Sequence, residues 1–135
     1  MSVHLEIVSP EKLLLSEKVE MVTLPAAEGE LGVLAGHAPM IVLLRGGTVR
    51  TWEGGKTVQS LYVSGGFAEI DGTKVTILAN AATPVAELSA TAARERLTAA
   101  ESALASVDRD DMAAVMAAMD SLQSARAMVE AATTA

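Results

Sequence analysis

Four short patterns in this sequence have residue types that can do chemistry. Gly54-Gly55-Lys56-Thr57 has the Gly-Lys-Thr ending of a phosphate-cradling loop. That loop requires a further Gly five residues before the one preceding Lys, and position 50 is Arg. It also requires a helix opening at the Lys, whose free N–H groups hold the phosphates. Thr57-Val58-Gln59-Ser60-Leu61-Tyr62 follows instead and is strand-like, so the glycines read as a hairpin turn. Ser9-Pro10-Glu11-Lys12 has the Ser-x-x-Lys spacing of some serine acylases without their companion motifs, and reads as a turn. His4 and His37 lack the spacing of a metal-ligand pair, and His4 is expected to face outward on a strand. Glu28 and Glu30 are close enough for paired acid–base work, but no nucleophile or cofactor loop accompanies them, so they read as solvated loop acids. The absence of Cys excludes disulfides, thiolate metal sites and a Cys nucleophile. The chemistry-bearing residues argue against an enzyme that works alone, with no cofactor or metal expected.

The elements that hold these residues are bounded by composition. A chain of 135 residues and 13.9 kDa has room for one ordinary domain or two very small ones. Its net charge of −7 opposes a phosphate backbone, and its three aromatics, Trp52, Tyr62 and Phe67, are too few for a base-stacking platform. Nucleic acid is therefore excluded as the leading partner. The longest aliphatic run, residues 40–44, is five residues against the roughly 20 of a membrane-spanning helix. Residues 1–6 lack the basic opening and apolar core of a signal peptide. The chain is expected to be soluble, to stay in the compartment where it is made, and to reach a membrane only through another protein.

The composition breaks at Pro84. All ten glycines and four prolines lie at or before it, while the 51 residues beyond it hold 17 of the 25 alanines. Gly and Pro punctuate strands and turns, whereas Ala is the best helix former. Two small domains are expected, a strand-rich one over residues 1–84 and a helical one over residues 85–135.

In the first, Val3, Leu5 and Ile7 alternate with His4 and Glu6, the period of a half-buried strand. Further runs cover residues 12–16, 19–24, 40–44, 48–52, 57–63, 67–70 and 74–79. Turns are expected at Gly46-Gly47, Glu53-Gly54-Gly55, Ser64-Gly65-Gly66 and Asp71-Gly72. Such spacing predicts a mainly antiparallel sandwich or barrel. Residues 24–39, with three Gly and two Pro, are expected to form a long shaped loop at one end, the kind of place where recognition occurs.

In the second, Ala93, Leu97, Ala100, Leu104 and Val107 fall on one helical stripe, and Met112, Val115, Met119 and Leu122 on another. Asp108-Arg109-Asp110-Asp111 separates them and supplies an acidic cap for the second helix. The short connection predicts an antiparallel hairpin. Alanine-rich seams bury little area, so the hairpin is expected to need the sandwich or a partner, and to be able to detach. From the residues alone the function is a binding or adaptor module.

Specific strings carry a resemblance. Val8-Ser9-Pro10-Glu11, Gly29-Glu30-Leu31-Gly32 through Gly36-His37-Ala38-Pro39, Ser64-Gly65-Gly66-Phe67-Ala68-Glu69-Ile70 and Val75-Thr76-Ile77-Leu78-Ala79 together resemble the epsilon subunit of F-type ATP synthase along the whole chain. The resemblance implies an antiparallel sandwich of about ten strands followed by a two-helix hairpin. It also implies a non-catalytic rotor component coupling proton flow to ATP synthesis. Glu28, Gly29, Glu30 and Leu31 then look like a loop facing the polar loops of the c-ring. His37, Ala38 and Pro39 look like part of a gamma-facing region, against the alternative of a turn histidine bonded to nearby backbone.

The hairpin is the family's regulatory part, reaching the alpha and beta subunits, and in some members it holds ATP through a Leu/Ile-Asp-x-x-Arg-Ala motif. Matching that Arg to Arg96 puts Ala93 at the Asp position, and matching it to Arg94 puts Thr91 there, so a degenerate motif and no nucleotide are expected. Residues 108–135 hold Arg109 and Arg126 against five acids, which predicts weak inhibition of hydrolysis through charge pairing. The resemblance implies a place on the cytoplasmic face of a bacterial inner membrane, peripheral through the complex. The competing reading is a free-standing sandwich adaptor with a helical tail, separated from the first by copurification with gamma.

Overall fold

The computed structural model describes residues 2–134, so Met1 and Ala135, the outermost residues of the two expected domains, lie outside the described residues. Eight strands precede two helices: β1 (Val3–Val8), β2 (Leu13–Val19), β3 (Met21–Ala26), β4 (Gly29–Leu34), β5 (Met40–Glu53), β6 (Lys56–Ile70), β7 (Lys74–Leu78), β8 (Ala82–Pro84), α1 (Ala90–Ser106) and α2 (Met112–Thr134). β1 behaves as its alternation predicts, burying Val3, Leu5 and Ile7 while His4 and Glu6 stay partly exposed. It pairs antiparallel with β2 and parallel with β7; the other strand pairs are antiparallel. The Ser-x-x-Lys pattern is a turn, in which the Ser9 hydroxyl accepts the Lys12 N–H at 3.1 Å.

Two expected turns are instead bends inside long strands. Gly46-Gly47 lies within β5, and Ser64-Gly65-Gly66 within β6. At Gly66, with φ +135°, a Cβ would collide with the Leu78 carbonyl. At Gly47 a Cβ would meet the Pro25 side chain at 2.6 Å. Here glycine lets two strands turn a corner at close range without leaving the ladder. The second half of β5 and the first half of β6 form one layer with β3, β4 and β8, while the first half of β5 and the second half of β6 carry on into β7, β1 and β2. The described residues therefore hold eight strands, and counting each bent strand once per layer gives the ten that the resemblance implies. One core, including Leu5, Ile7, Leu24, Val49, Val63 and Ile77, fills the space between the layers.

The expected long loop over residues 24–39 is largely a hairpin. β3 and β4 pair from Met21↔Leu34 to Ala26↔Gly29, leaving Ala27-Glu28 as the turn. Val33 supplies the fully buried residue of β4, with Leu31 packed against the core beside it. The glycines and short acidic run hid a six-residue strand. The Glu53–Lys56 turn did form as expected, with Gly54 at φ +57° and Gly55 at +77°, the two positive values of a type I′ hairpin.

Both helices are capped by side chains. Ser89 Oγ accepts from Ala92 N–H at 3.2 Å and Asp111 Oδ1 accepts from Ala114 N–H at 3.1 Å. Ala100, Leu122 and Ala125 form the seam between α1 and α2, with Leu97 and Leu104 packed against it. The second expected stripe is only partly buried: Leu122 is covered, but Met112 and Met119 are exposed. α2 rotates its small residue Ala125 into the seam, because alanine on both helices permits the closer approach.

Candidate functional site

Three places follow from this architecture. The first is where the hairpin meets the sheet. Gln123 Oε1 accepts the Gly46 N–H at 2.9 Å, and Gln123 Nε2 donates to the Gly46 carbonyl at 2.7 Å. The Ser124 hydroxyl donates to the Ser64 carbonyl at 2.6 Å, and the Tyr62 hydroxyl donates to the Ser124 carbonyl at 2.5 Å. A Cβ on Gly46 would lie 2.6 Å from the Ser124 Cα, so glycine is what lets α2 come this close. Two consecutive helix residues thus latch onto the bend of β5 and β6. The latch covers Tyr62, which is buried although its strand neighbours Leu61 and Val63 already fill the core side. Burial raises the Tyr62 phenol above its ordinary value, against smaller opposing effects from Arg96 and the bond to Ser124.

The second place is the outer face of the opposite layer, which no helix covers. Register lines up Leu43 with Phe67, Phe67 with Leu78, Leu78 with Val8, and Val8 with Leu13. That is one apolar row across five strands, about 19 Å at 4.8 Å per strand. Leu43 is 55% exposed, Phe67 53%, Leu78 46% and Leu13 54%. The next row is polar from Glu69 through Thr76 and Glu6 to Ser16, and begins with Ile41 at 75% exposure. Lys74 Nζ bonds Glu6 at 2.7 Å beside it, and this bond lowers the Glu6 carboxyl below and raises the Lys74 ammonium above their ordinary values. The row was missed in the sequence reading, yet residues 40–44 signalled it. A strand apolar at every position has something to cover on both faces.

The third place is the pair of segments that the family strings singled out. Glu28 is exposed in the β3–β4 turn, Gly29 and Glu30 open β4, and Leu31 packs against the core. Glu30 pairs with Arg50 across the sheet at 3.4 Å, and Ala27 N–H donates to the Leu43 carbonyl at 2.9 Å. The acidic turn is therefore tied to the strand that starts the apolar row. His37 lies beyond the other end of β4, about 20 Å away at 3.3 Å per residue. Its Nδ1 is 2.8 Å from the Ala38 carbonyl and its N–H donates to Leu34, the turn-histidine arrangement. Ala38 and Pro39 are exposed and lead straight into Met40 and Ile41. The structure thus separates Glu28–Leu31 from His37–Pro39, and joins the latter to the edge of the apolar face.

Arg94 and Arg96 do not come together in one site. Arg96 borders a cleft of about 520 Å³ with Tyr62 and Asp120, and its Nη1 lies 3.9 Å from Met128 Sδ, whereas Arg94 does not line that cleft. Among the described residues no group of three or more His, Asp or Glu could hold a metal ion. Nor is any helix among them long and apolar enough to cross a membrane.

Residues 2–85 match the family described as ATP synthase, Delta/Epsilon chain, beta-sandwich domain. The ATP synthase epsilon chain of Granulibacter bethesdensis is 64% identical over 128 residues, covering 95% of each chain. This chain belongs to the ATP synthase epsilon chain family. The epsilon chain of Paramagnetospirillum magneticum is 50% identical over 110 residues, 80% of this chain and 83% of its own. Among solved structures, a chain of the Euglena gracilis mitochondrial ATP synthase, in an assembly of OSCP, F1 and c-ring, superposes with a TM-score of 0.79. It is 28% identical and the match covers 96% of this chain and 81% of that one. Epsilon chains are non-catalytic subunits of the complex.

Proposed function

We propose that this epsilon chain is a mechanical coupling in the central stalk of a bacterial ATP synthase, held peripherally at the cytoplasmic face of the inner membrane. The observation that carries the reading is the uncovered apolar row Leu43–Phe67–Leu78–Val8–Leu13. A contiguous exposed row of this kind on a well-packed sandwich fits a protein partner. We assign it to the gamma subunit, with His37, Ala38 and Pro39 at its margin. Glu28, Gly29, Glu30 and Leu31, on the turn bonded to Leu43, face the polar loops of the c-ring. The Euglena neighbour, whose assembly includes F1 and the c-ring, supports a place in such an assembly.

The hairpin is the regulatory part, and in the docked posture its α2 latch faces the sheet. Residues 108–135 are acidic on balance, so docking on an acidic loop of the catalytic subunits by charge pairing is opposed. Inhibition of hydrolysis by this hairpin is therefore weak.

The chain has no cysteine, so single introduced thiols report contacts cleanly. Phe67→Cys in the assembled enzyme is expected to crosslink to gamma, and Glu30→Cys to the c-ring. Failure of both positions to capture those neighbours in an intact complex overturns the assignment.

A further inference from the structure

Of the chain's five aspartates and one asparagine, only Asp71 is followed by glycine. The pair sits in the turn between β6 and β7, closed by the Asp71 N–H donating to the Lys74 carbonyl at 2.9 Å. Glycine puts no side chain beside its own nitrogen, and nothing lies within 4 Å of where a Gly72 Cβ would stand. An aspartyl carboxyl next to so open an amide can close a five-membered ring with it. Here the side chain is held otherwise. Asp71 Oδ1 accepts the Lys74 N–H at 2.8 Å, the Thr73 N–H at 2.9 Å and the Thr73 hydroxyl at 3.2 Å. The bond from the Thr73 N–H, followed by those from the Lys74 N–H and the Thr73 hydroxyl and by the Lys74 charge, holds the carboxyl below its ordinary value against some desolvation. An ionised carboxylate has no hydroxyl to release. The same turn also ties distant segments together. The Gly36 N–H donates to the Gly72 carbonyl at 2.7 Å, and the His4 N–H to the Thr73 carbonyl at 2.9 Å. The link between β4 and β5 and the start of β1 are both fastened to it.

We infer that Asp71-Gly72 is this chain's site of backbone isomerisation to isoaspartate, and that the three donors on Asp71 Oδ1 keep the reaction slow in the fold. When the turn opens and the carboxyl takes up a proton, the Gly72 nitrogen attacks Asp71 Cγ. The N–Cγ bond forms, the Cγ–OH bond breaks, and the hydroxyl leaves with the amide proton as water, giving a succinimide. Water then adds back. Opening at the Cγ carbonyl restores aspartate, whereas opening at the main-chain carbonyl leaves the backbone running through Cβ and Cγ. The atoms of reactant and product are the same, and nothing is oxidised or reduced. The isoaspartyl backbone is longer by one carbon between Ile70 and Gly72. That length carries the Gly72 and Thr73 carbonyls away from Gly36 and His4 and loosens the segment entering His37. This is independent of the subunit contacts proposed above, because it is read on the free chain.

The test incubates the full-length chain for weeks at neutral pH, folded in buffer and unfolded in guanidinium chloride. Isoaspartate is counted by enzymatic methylation with labelled S-adenosylmethionine and placed by tandem mass spectrometry. Isoaspartate is expected at Asp71 ahead of every other position, about ten-fold or more slower in the folded chain than in the unfolded one, because the cradle's hydrogen bonds must first be given up. Thr73→Val, with circular dichroism confirming its fold, removes the hydroxyl bond and is expected to speed the folded reaction several-fold while leaving the unfolded rate nearly unchanged. Gly72→Ala is expected to suppress it in both states, since a methyl then crowds the nitrogen. The separated isoaspartyl form is expected to exchange its Gly36 and His4 amides faster than the parent chain. Isoaspartate arising mainly at another position overturns the inference, as do equal rates in the two states. An unchanged folded rate in Thr73→Val overturns the cradle, and unaltered exchange at Gly36 and His4 overturns the consequence drawn for the segment entering His37.

Discussion

Gln123 satisfies both polar groups of one peptide residue, accepting from the Gly46 N–H and donating to the Gly46 carbonyl. The side-chain amide thereby substitutes for a neighbouring strand at the point where β5 bends and its pairing with β3 shifts register. With Ser124 beside it, this contact anchors the hairpin on a sheet face flanked by open clefts.

Gln123→Ala is expected to weaken docking by about 1–3 kcal/mol, since it removes two hydrogen bonds at a partly buried site. Gly46→Ala acts on the same contact by steric means, pressing a methyl against the Ser124 backbone. In both variants amide exchange in α2 should quicken while β1 and β7 stay protected. Uniform acceleration across the whole chain would show that the latch is instead part of the global fold.

Gly66→Ala should strike the sandwich itself. The left-handed φ of +135° and the Leu78 carbonyl in the way leave no room for a Cβ. A loss above about 3 kcal/mol is expected in urea unfolding. Gly72→Ala is the control: nothing lies within 4 Å of its Cβ, and a change within about 0.5 kcal/mol is expected.

Phe67→Ser and Leu43→Ser should leave the midpoint of unfolding nearly where it was, because both side chains are about half exposed. Copurification with gamma should nonetheless fall sharply. Retained association in the double variant would remove the apolar row from the interface.

Tyr62 gives an alkaline signature. In the unfolded chain a phenol ionises near pH 10, and burial raises that value in the fold. The folded chain keeps a proton that the unfolded chain has lost, so stability is constant below about pH 10 and falls as pH rises toward the folded value. Tyr62→Phe should flatten that fall relative to the wild-type chain. Near-ultraviolet phenolate absorbance, followed alongside helix content, measures both halves of the linkage.

Much of this fold is legible from alternation and punctuation. Val3-Leu5-Ile7, the Gly54-Gly55 turn and the Asp111 cap each follow from local rules that the tertiary structure respects. The glycines at 46–47 and 65–66 misled because a bend inside a strand and a turn between strands need the same backbone freedom. Only the identity of what crowds them, Pro25 and Leu78 from distant strands, distinguishes the two. β4 was hidden for a related reason: an edge strand with one fully buried residue, Val33, has little hydrophobic period to read. Of the site, Glu28–Leu31 and His37–Pro39 were visible as strings. The apolar row was not, because it runs across strands, and its members, Leu13, Leu43, Phe67 and Leu78, are neighbours only through register.

The bond from Ala27 to Leu43 has a mechanical meaning. Glu28 hangs from a hairpin tip whose adjacent amide is fastened to the backbone of the strand bearing Leu43, and that strand then runs unbroken into the other layer. A push arriving at the acidic tip has no slack to take up before it reaches the greasy face. Stretching that path requires drawing out a covalent chain already laced to its neighbours, so the tip and the face advance as one piece.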